Sequence, residues 1–436
     1  MHSIRSDTVV GGIIKVNDIV LRSVNIDKEF SITGLVDSFN LFENVFTNTL
    51  TGNLQIGDTA NLISNFPIVG HEEIVITMGT PNIERVQTKK FRIYKVTDID
   101  STSIGMRRYV IHLLSGEFFM NLKGSVSRSF PKSTTSTIAE KILRTDLESD
   151  KTFDIEETQN VHDIVIPNWK PFEAINWLAK RSVAEHRDGA NYLFYETRDG
   201  FHFRSLESLA ESNSVGNYKR KPSNVTTGNP DEEQYKNVNK IDILNSFDMV
   251  ANIPNGMFAN RLIIHDMINR KTETLDYDYS KEYSKMMHVE DNKKTNKWRL
   301  SDDQNINGQG SSMMVHETAD KLTTSPLSKQ TLVSRFDDIN TYYERTLQNR
   351  ISQMQQIDNI KLNITISGDT TRKVGDVLNL ELPSIEPVLG DGTIPMDKLY
   401  NGRYLVTGLR HKIDSSSHVM VMEVVKDSYF SSLPTE

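Results

Sequence analysis

Phe91-Arg-Ile-Tyr-Lys-Val96, the turn Thr97-Asp-Ile-Asp-Ser-Thr-Ser103 and Tyr109-Val-Ile-His-Leu-Leu114 recur in changed letters near the other end of the chain. The second copy reads Arg403-Tyr-Leu-Val-Thr-Gly408, the turn Lys412-Ile-Asp-Ser-Ser-Ser417 and Val419-Met-Val-Met-Glu-Val-Val425. A Gly-Asp pair introduces each: Leu54-Gln-Ile-Gly57-Asp58 before the first, Lys373-Val-Gly375-Asp376-Val-Leu-Asn-Leu380 before the second. Phe91, Ile93 and Lys95 share one face while Arg92, Tyr94 and Val96 share the other, the period-two pattern of a strand. A chain with two equivalent β-domains behaves like two fused subunits, so three chains can present six-fold-like symmetry to a hexameric neighbour. That is a signature of assembly, not of catalysis.

Working outward, residues 13–115 read as short β-branched strands broken by Gly, Asn, Asp and Pro, which favours a small antiparallel barrel or sandwich. Residues 118–206 change texture. Thr137-Ile-Ala-Glu140 fits a capping box ahead of Ile138, Ile142 and Leu143. Pro171 suits a first helical position, with Phe172, Ile175, Leu178, Ala179 and Val183 on one stripe. Arg198-Asp199-Gly200 then joins a hairpin between Asn191–Glu196 and Phe201–Arg204. Residues 207–240 read as a polar connection, and 271–333 as a polar insertion of weak periodicity. A helix over 335–356 carries Ile339, Tyr343, Leu347, Ile351 and Met354 on one face, with Asp337 or Asp338 near its start.

The fold class expected is α+β, predominantly β: two related antiparallel β-barrel domains with an α+β domain and an insertion between them. The boundaries expected are 1–117 for the first barrel, 118–206 for the α+β domain and 207–240 for the connection. Residues 241–270 and 334–430 form the second barrel with its helix, interrupted by 271–333.

Composition excludes several classes. The 436 residues leave room for two to four domains at a soft prior of ~150 each. A net charge of −8 argues against a general nucleic-acid binder, which needs a basic stripe to neutralise phosphate. With no cysteine, neither a disulfide framework nor a thiolate metal site can form. The start lacks the apolar core of a signal peptide, and no apolar run approaches the ~20 residues needed to span a bilayer. Folding in a cytosol without membrane insertion is the expectation.

Searching for chemistry yields no catalytic residue, cofactor site or metal site. His71-Glu72-Glu73 lacks the second His of a zinc-protease helix, Val75 standing in its place, and reads as a surface turn. Asp303-Gln-Asn305-Ile-Asn307-Gly308 begins like a calcium loop but offers Met314 at the twelfth position. Asp98/Asp100 and Asp276/Asp278 sit in turn-like stretches with nothing to fix a catalytic separation. His112, His202, His265 and His418 lie on strands and read as satisfied or exposed strand residues. Trp177 falls off its helix's main stripe; it packs on a second neighbour or faces outward as a partner contact. Phe39, Phe42 and Phe46 recur at three to four residues and are either core or a patch awaiting another subunit.

Longer wording carries a resemblance. Leu41-Phe-Glu-Asn-Val-Phe-Thr-Asn-Thr-Leu-Thr-Gly-Asn-Leu-Gln-Ile56 with Ile68-Val-Gly-His-Glu-Glu-Ile-Val-Ile76 resembles the first tube-type domain of the central baseplate hub protein of contractile-tailed bacteriophages. Ile166–Ala179 with Asn191–Ser205 is similar to that family's α+β domain. The Val374-Gly-Asp376 strand, with Gly402–Val406 and Val425-Lys-Asp-Ser428, is similar to its closing tube-type domain. The resemblance implies a homotrimer whose six barrels form a ring with a channel for DNA, joining a hexameric tail tube or tube initiator to a trimeric central spike. It also implies neighbouring baseplate wedge proteins as partners, a place in the virion tail baseplate and assembly in the host cytoplasm. The spike, with any lysozyme, is expected on a separate chain because no β-helical repeat follows Ser428. The alternatives are a tail-associated cell-envelope hydrolase using unidentified acids, or the base of a type VI secretion-like spike.

Overall fold

The computed structural model describes residues 12, 15–23, 28–66, 68–70, 72–79, 86–103, 105–159, 161–186, 189–220, 235–266, 270–290, 299–301, 304–305, 312–318, 343–384, 395–414 and 417–428. His71, Asp337, Asp338, Ile339 and most of the Asp303–Gly308 stretch lie outside them.

The first β-unit comprises β1 (Lys15–Ser23), β2 (Lys28–Ser31), β3 (Val36–Asn44), β4 (Thr51–Asp58), α1 (Leu62–Asn65), β5 (Glu73–Gly79), β6 (Gln87–Ser103) and β7 (Met106–Leu114). The middle unit follows with α2 (Gly116–Lys123), β8 (Val126–Ser133), α3 (Thr135–Thr145), β9 (Thr152–Ile155), β10 (His162–Trp169), α4 (Pro171–Ala179), β11 (Tyr192–Thr197), β12 (Gly200–Ser205) and α5 (Leu206–Ala210). Next come β13 (Ser214–Lys219), β14 (Val238–Asn245), α6 (Met249–Asn252), β15 (Ala259–Asp266), β16 (Lys271–Asp278), α7 (Tyr279–Glu282), β17 (Arg299–Ser301), β18 (Gln304–Asn305), β19 (Ser312–Thr318) and α8 (Tyr343–Gln356). The chain closes with β20 (Ile360–Ser367), β21 (Val377–Glu381), β22 (Gly402–Asp414) and β23 (His418–Lys426). The expected class stands: predominantly β, mostly antiparallel, with α+β material between two related units.

Those two units share one topology. The first runs β3-β4-β7-β6-β5 across its sheet and the second β14-β20-β23-β22-β21, so strands 3, 4, 5, 6 and 7 in chain order correspond to 14, 20, 21, 22 and 23. One irregularity in each of two ladders agrees as well. The β6–β7 ladder breaks between Ile93 and Lys95, and β22–β23 between Val406 and Gly408. The β3–β4 ladder shifts between Val36 and Ser38, and β14–β20 between Val238 and Lys240. A bulge inserts one residue and re-aims the strand, so bulges at matched places give the two units a common backbone path. Register then equates Leu54 with Ile364 and Ile111 with Met422, all four buried in their unit's core. A one-residue slip would turn either set to the opposite face, which is why the alternation holds so strictly.

One detail of the repeat differs from the expected pairing. Gly57-Asp58 ends β4, whereas Gly375-Asp376 lies just before β21, the counterpart of β5. The true counterpart of Asp376 is Glu72. Ile93 N–H donates to Glu72 O at 3.1 Å, and Val406 N–H donates to Asp376 O at 2.9 Å. Glu72 is also fully buried, its carboxylate accepting from the N–H groups of Val69 and Gly70, so the expected surface turn is an inward-facing one.

In the middle unit, Pro171 opens α4 as expected. Thr134, not Thr137, caps α3, accepting from Thr137 N–H at 3.3 Å. Ser133 to Thr137 offers five hydroxyls in succession, so local sequence leaves the capping residue undetermined. Gly200 has φ 145°, and a Cβ there would lie 2.2 Å from Thr152 Oγ1.

Two other expectations change. The stretch 207–240 contains β13, which pairs in parallel with β21. Strand β15, expected in the second barrel, instead pairs with β16 and β19 in a separate three-stranded sheet. Helix α8 buries Gln348, Ser352 and Gln356, while Leu347, Ile351 and Met354 are half-buried. Its polar face serves backbone groups of that sheet region: Gln348 Nε2 donates to Leu275 O at 2.9 Å and Ser352 Oγ to Met257 O at 2.7 Å.

Candidate assembly site at the seam between the two β-units

Strands β3 and β22 join the two units edge to edge. Their antiparallel register runs from Gly408 opposite Asn44 to Asp414 opposite Ser38. The cores exchange residues across this line, Ile413 packing into the first unit's core and Val45 into the second's. Alternation sorts the seam into two faces. Phe39, Leu41, Glu43, Leu409, His411 and Ile413 are buried on one. The other, Phe42 apart, is hydrophilic: Arg410 donates from Nε and Nη2 to Asn40 Oδ1 at 3.0 and 2.9 Å, and Asn40 Nδ2 donates to Asn53 Oδ1 at 2.9 Å.

Two buried polar features lie on the inner face. Arg198, in the β11–β12 turn, donates from Nε to Glu43 Oε1 at 2.6 Å, and both side chains are almost wholly buried. The same guanidinium donates from Nη1 to Thr370 O at 3.1 Å and from Nη2 to Arg372 O. Glu43 Oε2 accepts from Val374 N–H at 3.4 Å. One ion pair therefore binds β3, the middle unit and the loop before β21. Removing either partner would strand a buried charge, which costs far more than the intact pair contributes.

Beside it, His411 Nδ1 and His418 Nε2 lie 2.9 Å apart, a distance for one hydrogen bond between neutral rings. Burial, followed by the nearby Arg198 charge, pushes His411 well below its usual range and His418 down to about 3. Gly368 makes room for this pair, since a Cβ there would lie 2.0 Å from the His418 ring.

A second node holds the middle unit to the β3–β4 turn. Lys151 Nζ donates to Glu196 at 2.6 Å and to Glu117 at 2.7 Å, while Glu196 Oε2 accepts from Leu50 N–H at 3.0 Å. Burial works to lower Lys151, but the two carboxylates outweigh it and hold it above its usual range. The cation's charge makes this a clamp.

Of the four aromatic residues singled out in the sequence, Phe39 is core, 2% exposed. Phe42 is half-buried at the seam, 5.7 Å beneath the Arg410 guanidinium, and Phe46 is exposed. Trp177 packs edge-on against Trp169 at 5.3 Å, with Arg181 3.9 Å over its ring. The acidic pairs do not converge on a site. Asp98 and Asp100 are exposed on β6, Asp276 binds Arg261, and Asp278 caps α7. His202 is held by Thr197 and Asp154. Among the described residues no group of three or more His, Asp or Glu could hold a metal ion. Sequence reasoning missed Glu43, Arg198 and His411; Arg198 lies 155 residues from its partner, so no local pattern announces the pair.

The fold is shared with two solved tail proteins. A tail protein from Neisseria meningitidis MC58 superposes with a TM-score of 0.56 at 10% identity, covering 94% of this chain and 96% of that one. The 43 kDa tail protein of prophage MuSo2 from Shewanella oneidensis gives 0.55 at 12% identity, covering 94% and 98%. By sequence, the probable baseplate hub protein gp334 of Vibrio phage KVP40 is 19% identical over 418 residues, 92% of each chain. No protein-family model matches. That match to a probable baseplate hub protein covers most of the chain.

Proposed function

We propose that this chain is a structural subunit of the baseplate hub of a contractile phage tail, acting as a homotrimer whose six β-units form a pseudo-six-fold ring. The ring joins a hexameric tail tube or its initiator to a trimeric central spike, meets neighbouring wedge proteins, and leaves a channel for DNA. It assembles in the host cytoplasm and has no sequence-specific nucleic-acid binding. The divisions proposed are 1–117, 118–206 and 207–240, then 241–270 with 334–430 around the insertion 271–333, with β13 added to the second unit and β15 to the inserted sheet.

The observation that carries the reading is the shared strand order and shared bulges of the two units, joined edge to edge by β3 and β22. A trimer meets a hexamer without mismatch only when each protomer offers two similar surfaces, and this duplication supplies them. The outward face of the seam, with Asn40, Asn53 and Arg410 in mutual hydrogen bonds, suits a wet bore wall. Phe42, Phe46 and Trp177 are proposed as contacts to other subunits. The chain performs no reaction and needs no cofactor.

Native mass spectrometry of the purified chain, alone and with its spike, tests this. A trimer in either state is expected, whereas a strict monomer in both overturns the ring. Peptidoglycan turnover by the pure protein would favour the hydrolase instead.

A further inference from the structure

Strand β22 uses its two ends differently: Gly402–Leu405 pair with β21, while Gly408–Asp414 pair with β3. Its counterpart β6 pairs with β5 only over Gln87–Arg92. Beyond Arg92, among the described residues, β6 pairs with β7 alone, leaving one edge open. The counterpart of β3 is β14, which ends the sheet and pairs with β20 alone among the described residues. So β22 has its β3, but within this chain β6 has no β14.

We propose that the free edge of β6 pairs antiparallel with β14 of the next copy of the chain, repeating between protomers the seam built inside each. The inference rests on the ring reading and names its contact surface.

Register follows by transposition. Thr97 and Asp100 correspond to Arg410 and Lys412, through their shared partners on β7 and β23. Asn245 and Asp242 correspond to Phe42 and Asn40, through β20 and β4. Arg410 faces Phe42 and Lys412 faces Asn40, so Thr97 falls opposite Asn245 and Asp100 opposite Asp242. Between these anchors β6 carries one residue more than β22, and β14 one more than β3. The additions coincide: Asp98-Ile99 face Leu244-Ile243, and the register closes without a gap. Asp98 takes up its excess with a left-handed φ of 54°, a conformation Asp tolerates.

Exposure agrees. Ile99 is 60% exposed and Ile243 52% exposed, and the pairing sets these two directly opposite each other. Leu41, at the position equivalent to Ile243, is fully buried where the internal seam exists. Open strand edges with apolar side chains invite pairing by another chain, and a matched edge is the specific way to satisfy them. The facing acids Asp100 and Asp242 are buffered by Lys240, which binds Asp242 at 2.7 Å and would stand diagonally across from Asp100.

Because the chain has no cysteine, cross-linking is clean. In the full chain, Ile99→Cys combined with Ile243→Cys should convert most of the protein to a covalent trimer under mild oxidation, seen on non-reducing gels. Each single variant should give no cross-linked species, because the contact is heterologous, and a mixture of the two should give dimers. Ile99→Cys with Lys240→Cys, out of register, should cross-link at least tenfold less, since a disulfide requires Cα atoms within about 7 Å. Thermal melts matching the parent chain certify that the variants fold. A native trimer whose double variant fails to cross-link overturns the pairing and leaves the ring standing. A monomer overturns both. Equal cross-linking by the out-of-register pair overturns the assigned register.

Discussion

Leu41 and Ile243 occupy the same position in the two β-units, yet one is sealed and the other half open. What separates them is a neighbour. Strand β3 is covered by β22, whereas β14 ends the sheet. The units differ likewise in the connection that follows. Between β3 and β4 the chain needs only Val45–Leu50, but between β14 and β20 it carries the β15–β16–β19 sheet and α8. The repeated frame carries an insertion at a turn while keeping its ladder and the bulge at its start. Constraint lies in the paired strands and freedom in the connections, as loop-closure entropy grows only slowly with loop length.

The largest test of this comparison is the ion pair found in the first unit alone. Glu43 has Ser246 as its counterpart, one place beyond Asn245, so the second unit has no buried acid there. Arg198→Ala leaves Glu43 buried and unpaired, and a loss of about 3–5 kcal/mol in chemical denaturation is expected. Arg198→Met with Glu43→Leu should recover most of it. If the single and double variants lose equal stability, the junction is held by packing and not by charge.

Next come the equivalent apolar positions. Leu41→Ala should cost about 2–5 kcal/mol, as for a buried Leu whose site cannot collapse. Ile243→Ala should stay within about 0.5 kcal/mol while the chain is monomeric. Equal losses in a monomer would mean that β14 is already covered.

Much of this was legible beforehand. The repeated strands could be read because β-branched residues at period two, bounded by Gly and Asp, carry their own signal. The exact correspondence could not, because Gly-Asp closes one strand as readily as it opens another. Helix α8 shows a different limit: Leu347, Ile351 and Met354 look like a core stripe, but the flank against the inserted sheet uses Gln348 and Ser352 to satisfy backbone groups and Gln356 to donate to the Tyr279 hydroxyl. Strand β15 joined the wrong unit for a similar reason, since period two fixes a strand's faces and not its partner. Glu43 and Arg198 were invisible because their partners lie more than a hundred residues away.

A pH titration sharpens the contrast further, since the His411–His418 pair has Asp98-Ile99 and Arg107 at the equivalent places. Both rings titrate lower when folded than the usual 6.5, so the unfolded chain binds protons first on acidification. Stability supplied by the pair is complete above pH 6.5 and falls as pH drops toward about 3. The slope contributed is about 1.4 kcal/mol per pH unit per histidine. Urea melts from pH 7 to 5 should therefore steepen in the native chain and flatten in His411→Leu with His418→Leu. An unchanged slope would mean that the rings are already charged in the fold.

The smallest effect expected is at Arg410, on the outward face of the seam. Its guanidinium is exposed and bonded to Asn40, and the first unit manages with Thr97 at that position. Arg410→Ala should change stability by no more than about 0.5 kcal/mol, as at other exposed sites. The result matters because it assigns the two faces. A loss comparable to Leu41→Ala would make the Asn40–Asn53–Arg410 face a packed interior, and a wet bore could not then lie on that side of the sheet.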